Sequence, residues 1–80
     1  METILIIDDE VDLCRTLEKI LTKEGYRVVW TTSPSAVLSL LQKESPSAVL
    51  LDLKIGETDG LTVLKEIHNH DPHLPVIIIT

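Results

Sequence analysis

The sequence contains very few aromatic residues and almost no cysteine. Its 80 residues include one Trp, one Tyr, no Phe and one Cys. A single cysteine excludes an intrachain disulfide and a zinc site built from several cysteines. Because 44% of the residues are hydrophobic and so few carry rings, a folded core has to be packed mainly from aliphatic side chains. A chain of this length forms at most one small domain.

Basic residues and long apolar runs are also scarce. Lys and Arg number 7 against 13 Asp and Glu, which gives a net charge of -6. This balance disfavours nucleic-acid binding, since phosphate recognition needs a basic face. No apolar run approaches the roughly 20 residues of a membrane span, and no pattern indicates a signal peptide. We therefore expect a cytoplasmic chain that binds neither nucleic acid nor a membrane.

Strand and helix patterns alternate along the chain. Apolar runs rich in β-branched residues predict strands at residues 4–7, 26–31, 48–53 and 75–80. Helical spacing predicts helices at about 11–24, from Pro34 to before Ser45, and from Leu61 to near Asp71, with a loop at 54–60. Ser33 is the expected N-cap of the second helix, and Gly25 should end the first in a left-handed conformation. This order predicts an α/β fold with a parallel sheet and helices on both faces.

Acidic residues stand where the predicted strands end. Asp8 and Asp9 follow the first strand, Asp52 lies near the end of the third, and Thr80 ends the fourth. Parallel strands present their carboxyl ends at one edge of the sheet, so neighbouring first and third strands would bring these acids together. Two carboxylates about 4 Å apart repel by roughly 4 kcal/mol at an effective dielectric of 20. A divalent cation such as Mg²⁺, which prefers oxygen ligands and is often shared with phosphate, would offset that repulsion.

Three motifs carry a resemblance to a known family. The chain resembles the receiver domain of two-component response regulators through "DDE" after the first strand, "LLDLKIGETDG" at the third and "PVIIIT" at the fourth. The resemblance covers the whole chain and depends on the order and spacing of all three motifs. It implies a doubly wound, flavodoxin-like sheet with strand order 2-1-3-4.

The resemblance also implies roles for individual residues. Asp52 would be the phosphoacceptor, taking a phosphoryl group from a sensor histidine kinase. Asp9, Asp52 and the backbone carbonyl of Lys54 would bind Mg²⁺, and Asp8 would act mainly through a bound water. Thr80 would be the switch hydroxyl that turns toward the phosphoryl group. In this interpretation the chain is not an enzyme but a switch that controls an output region.

The chain departs from the family pattern in two places. Gly56 stands where the family commonly has Pro, which should loosen the loop after the phosphoacceptor. The chain also stops at Thr80, so residues 1–80 would be the N-terminal two-thirds of a receiver, without its fourth helix, fifth strand with an essential Lys, and fifth helix. The fourth strand would then be a bare edge, and we expect self-association through edge pairing or exchange of elements.

Other interpretations remain open. The acids after the first strand could simply stabilise a helix N-terminus. A truncated receiver could act only as an interaction or dimerisation module. Phosphohydrolases of the haloacid-dehalogenase type also use an aspartyl phosphate, but their D-x-D pattern differs from the adjacent acids here. His68, His70 and His73 lack the spacing of a helical metal site and are expected at the surface, and Cys14 is expected to be a core thiol.

Overall fold

Four parallel strands form the central sheet of the computed structural model, which describes residues 1–79. These four strands are β1 (Thr3–Ile7), β2 (Arg27–Thr31), β3 (Ala48–Leu51) and β6 (Val76–Ile78), and two further short strands are β4 (Lys54–Ile55) and β5 (Thr58–Asp59). The helices are α1 (Val11–Lys23), α2 (Val37–Glu44) and α3 (Gly60–His70), and a 3-10 turn at Pro34–Ala36 precedes α2. Strands β4 and β5 form a separate antiparallel hairpin.

The sheet has the strand order β2-β1-β3-β6, and all three pairings are parallel. Since β6 is the fourth strand predicted from the sequence, the expected order 2-1-3-4 is confirmed. Leu5 pairs with Val49 on β3, and Leu51 pairs with Ile78 on β6. Strands β1 and β3 are therefore neighbours, as the prediction of converging acids requires.

The main core lies on one face of the sheet and is aliphatic, as the composition predicted. Alternate strand residues point to this face and pack with the inward residues of α2, α3 and the hairpin. The buried members are Leu5, Ile7, Val37, Leu41, Val49, Leu51, Ile55, Val63 and Ile67. Ile6 and Cys14 are also fully buried, but they lie outside that cluster, where α1 covers the other face.

Two predicted boundaries around the third strand are wrong. Strand β3 ends at Leu51 rather than at residue 53, because the side chain of Asp52 accepts the N–H of Lys54 at 2.9 Å and turns the chain out of the sheet. Residues 54–60 are not an irregular loop, since they contain the β4–β5 hairpin and the first residue of α3.

Smaller differences occur at the other ends. The second helix begins as a 3-10 turn, so α2 starts at Val37, and Ser33 makes no side-chain capping bond. Gly25 has φ +95°, which confirms the predicted left-handed end of α1. Strand β6 is shorter than the predicted run of 75–80, and Thr80 lies outside the described residues. Within residues 1–79, none of the helices combines the length and apolarity needed to traverse a bilayer.

Candidate functional site

Backbone hydrogen bonds place two of the predicted acids at the same edge of the sheet. The N–H of Asp8 donates to the carbonyl of Thr31 on β2 at 3.3 Å, and the N–H of Asp52 donates to the carbonyl of Ile7 on β1 at 2.9 Å. Each acid thus occupies the position directly after its strand, still held by the neighbouring strand. Both side chains consequently emerge at the carboxyl ends of β1 and β3.

The carboxylates of Asp8, Asp9 and Asp52 converge. Each residue offers one carboxylate oxygen such that the three atoms lie within 4.8 Å of one another. Asp8 is only 2% exposed, Asp52 is half-buried and Asp9 is exposed, so the cluster opens toward solvent on the Asp9 side. The juxtaposition predicted from the sequence is therefore present in the fold.

Each of the three carboxylates accepts a backbone N–H. Glu10 donates to Oδ1 of Asp8 at 2.9 Å, Lys54 donates to Oδ1 of Asp52 at 2.9 Å, and Gly56 donates to Oδ2 of Asp9 at 3.1 Å. The donors belong to the segment before α1 and to the strands and turn of the hairpin. Hydrogen bonds to a charged acceptor are stronger than neutral ones, so they hold the side chains in place despite mutual repulsion.

Burial raises the pKa of Asp8 above its ordinary value, and the charges of Asp52 and Asp9 raise it further, whereas the Glu10 N–H opposes this rise.

Cys14 lies directly beneath the acidic cluster, with its Sγ 3.7 Å from the carbonyl oxygen of Asp8. Burial and the nearby charges of Asp8 and Asp9 raise the pKa of this thiol to about 11. The site is thus a cluster of three carboxylates over a buried, protonated thiol.

The donor set fits a hard divalent cation. Three carboxylate oxygens at this separation match the ligands that Mg²⁺ and Ca²⁺ prefer, with room for water on the exposed side. The cluster is the one such group of His, Cys, Asp and Glu side chains found among residues 1–79, and it contains none of the three histidines. Glu10 at the N-cap of α1 makes no side-chain capping bond, and stabilisation of the helix N-terminus by the acids stays an alternative interpretation.

The sequence did not predict that a β-hairpin donates hydrogen bonds to the acidic cluster. Gly56 was expected to loosen the chain, yet it is the first turn residue of the hairpin, with φ +59°, and its N–H contacts Asp9. A usable pattern was present, since Gly56 and Glu57 form a two-residue connection that begins with glycine, which is typical of a tight β-hairpin. The role assigned to the Lys54 carbonyl stays a prediction.

Known proteins with similar sequences cover most of this chain. The chain is 38% identical over 79 residues to sporulation initiation phosphotransferase F of Bacillus subtilis (strain 168), covering 99% of this chain and 64% of that protein. It is 39% identical over 77 residues to the transcriptional regulatory protein GlrR of Escherichia coli (strain K12), covering 96% of this chain and 17% of that one. The chain therefore spans under two-thirds of the length of these relatives.

A solved structure shows the same fold. A CheY-like response regulator receiver domain protein from Methanospirillum hungatei JF-1 superimposes with a TM-score of 0.92 at 27% identity, over 98% of this chain and 62% of that one. The family model of the response regulator receiver domain matches residues 4–80. The chain therefore belongs to the response regulator receiver domain family of two-component signalling.

Proposed function

We propose that this domain works in the cytoplasm as a Mg²⁺-dependent phosphoacceptor in a phosphorelay. A sensor histidine kinase would donate the phosphoryl group to Asp52, and phosphorylation would switch the activity of an output region. The observation that carries this proposal is the convergence of Asp8, Asp9 and Asp52 at the carboxyl edge of the sheet. The B. subtilis relative is named a phosphotransferase and the E. coli relative a transcriptional regulatory protein, which favours transcription as one controlled output.

Asp9 and Asp52 would hold the cation together with the backbone carbonyl of Lys54, and Asp8 would contact it through water. When bound, Mg²⁺ supplies positive charge that offsets the phosphoryl oxygens and the clustered carboxylates. Burial supports this role of Asp8, because the residue is 2% exposed and its carboxylate accepts the Glu10 N–H.

The transfer step uses a carboxylate oxygen of Asp52 as the nucleophile. This oxygen attacks the phosphorus of a phosphohistidine on the kinase, an O–P bond forms, and the P–N bond breaks as the imidazole leaves with its electron pair. The product is an acyl phosphate on Asp52. The domain is an acceptor rather than an enzyme in this scheme, and Thr80 is the proposed switch hydroxyl that favours the phosphorylated conformation.

Acetyl phosphate with Mg²⁺ tests the proposal. Mass spectrometry should find one added phosphoryl group on Asp52, lost in Asp52→Asn and absent when EDTA removes the cation. Asp12→Asn, which removes an exposed acid of α1 outside the cluster, should leave the reaction intact. Continuous phosphate release without a stable adduct would support a hydrolase instead. No adduct and no turnover would leave only an interaction module.

We further propose that the chain self-associates through β6. The carbonyl of Pro75 and the N–H of Ile79 form hydrogen bonds with β3. Because alternate residues of a strand bond to opposite neighbours, the N–H and carbonyl groups of Val76 and Ile78 point away from β3, toward the edge of the sheet. Ile77 and Ile78 are 54% and 43% exposed on opposite faces of this edge. Unpaired backbone groups flanked by apolar side chains form a template for strand pairing.

Sedimentation velocity over a range of concentrations tests the association. Ile77→Lys should shift the chain toward monomer, because charge on an edge strand opposes pairing. Ile20→Lys is the matched control, since Ile20 is 53% exposed on α1, away from the β6 edge. A monomer at every concentration of the wild-type chain would contradict this proposal without affecting the phosphoacceptor assignment.

A further inference from the structure

The β4–β5 hairpin contacts the acidic cluster at two points. Lys54 donates its N–H to Asp52, and Gly56 donates its N–H to Asp9 at 3.1 Å. Between them, Ile55 is fully buried in the core and anchors the hairpin to the rest of the domain. The hairpin therefore supplies one backbone donor to each of the two carboxylates that are proposed to bind the cation.

Only some residues can make the second contact. Gly56 has φ +59°, and a Cβ placed there would meet no atom within 4 Å, so the backbone conformation rather than space restricts this position. Proline, with φ near about -65° and no N–H, can neither adopt this conformation nor donate to Asp9. A D-residue, in contrast, adopts a positive φ without strain and keeps the N–H.

We propose that the Gly56 N–H is a positioning group that orients the Asp9 carboxylate for the cation. This inference rests on the proposed phosphoacceptor function. Asp9 is exposed and is the least confined of the three acids. Since the N–H holds Oδ2 of Asp9, the side chain loses less freedom when a cation binds. The hairpin and the cation site are therefore coupled, and each stabilises the other.

Mg²⁺ binding to the 80-residue chain, measured from NMR shifts of the Asp9 and Asp52 amides, tests the coupling. Gly56→Pro should weaken binding by about threefold to tenfold, which is less than the roughly tenfold to hundredfold typical of groups that orient metal ligands, because this hydrogen bond is exposed. A synthetic chain with D-alanine at residue 56 should stay within about twofold of wild type, because a D-residue adopts the positive φ and retains the donor. If Gly56→Pro fails to fold, a synthetic chain with an ester in place of the Ile55–Gly56 amide removes the N–H alone.

Amide hydrogen exchange provides a readout that does not depend on phosphoryl transfer. By reciprocity, Mg²⁺ should slow exchange of the Gly56 amide by the same factor by which the N–H tightens Mg²⁺ binding. The Gly25 amide, which bonds to the carbonyl of Thr22 at the far end of α1, should be unchanged. Faster Gly56 exchange with Mg²⁺, or tighter binding by the proline or ester chain, would show that the N–H competes with the cation and would overturn the inference.

The outcomes separate this inference from the function on which it rests. Wild-type Mg²⁺ binding and phosphorylation of Asp52, with unchanged affinity in the proline and ester chains, would refute the role of Gly56 alone. Absence of Mg²⁺ binding by the wild-type chain would refute both. A cation that binds and slows Gly56 exchange without any phosphorylation of Asp52 would support the coupling and refute the phosphoacceptor.

Discussion

A carboxylate oxygen of Asp8 lies within 4.8 Å of one from Asp52, although the two residues follow different strands. Burial raises the pKa of Asp8, and the Asp52 charge raises it further. The pair is close because β1 and β3 are hydrogen-bonded neighbours that end at the same level of the sheet. Because a domain has only about 5–15 kcal/mol of total stability, repulsion between these two carboxylates is a substantial destabilising contribution.

Asp8→Asn should stabilise the cation-free chain at neutral pH. The amide removes one of three clustered charges and keeps an oxygen to accept the Glu10 N–H. We expect the free energy of unfolding in urea with EDTA to rise by about 1–2 kcal/mol, less than the roughly 4 kcal/mol of an unscreened pair near a surface. Asp12→Asn is the control and should lower stability slightly, because Asp12 lies in the first turn of α1. A less stable Asp8→Asn chain would contradict the prediction.

The contribution of Asp8 should depend on pH with a defined sign. Its pKa in the folded chain is raised above 3.8, so the folded chain holds this proton more tightly than the unfolded chain. The free energy of unfolding should therefore fall, relative to Asp8→Asn, as pH rises from 3.8 through the folded-state pKa, and then level off.

Saturating Mg²⁺ at neutral pH should restore stability to the wild type, by about 2.7 kcal/mol at a hundredfold excess over Kd. Parallel urea titrations of the two chains, with EDTA or Mg²⁺, measure both effects.

Gly60→Ala should destabilise the chain, because the backbone of Leu53 leaves no room for a Cβ at residue 60. A Cβ at residue 60 would lie 2.3 Å from the Cα of Leu53 and 2.4 Å from its carbonyl oxygen, which accepts the Gly60 N–H. Relief requires the backbone before the hairpin to move, at a cost of about 1–3 kcal/mol or more. Gly25→Ala is the control, because it meets no atom within 4 Å and bears only the cost of its positive φ, about 1–2 kcal/mol. Equal stability of Gly60→Ala and wild type in urea would refute the argument.

Cys14 should resist alkylation in the folded chain. Its thiol is fully buried and has a pKa raised to about 11, so the reactive thiolate is scarce at pH values near 8. We expect iodoacetamide to react at least about a hundredfold more slowly with the folded chain than with the chain in urea. Mass spectrometry of the alkylated product over time measures both rates. Comparable rates would show that the site above Cys14 opens readily.

The central elements of the fold could be predicted because their patterns are local. The apolar run at residues 4–7, the helical spacing of α1 and the glycine after it each specify one element without help from distant residues. The hairpin at Lys54–Asp59 was missed because each of its strands has two residues, too few to show an alternating pattern. The end of β3 was placed too late because Leu53 continues the apolar pattern, whereas the backbone has already turned at Asp52, whose side chain accepts the Lys54 N–H.

By itself, the sequence determined the aliphatic core, the β/α order and the positions of the acids after the strands, since periodicity and composition act over short stretches of chain. Only the tertiary structure decided that Asp8 is buried while Asp9 is exposed, that Cys14 lies beneath the cluster, and that the Gly56 N–H contacts Asp9. These relationships join residues far apart in the chain. They depend on strand register, on how far each side chain is withdrawn from water and on the direction of single backbone donors, none of which leaves a periodic pattern in the sequence.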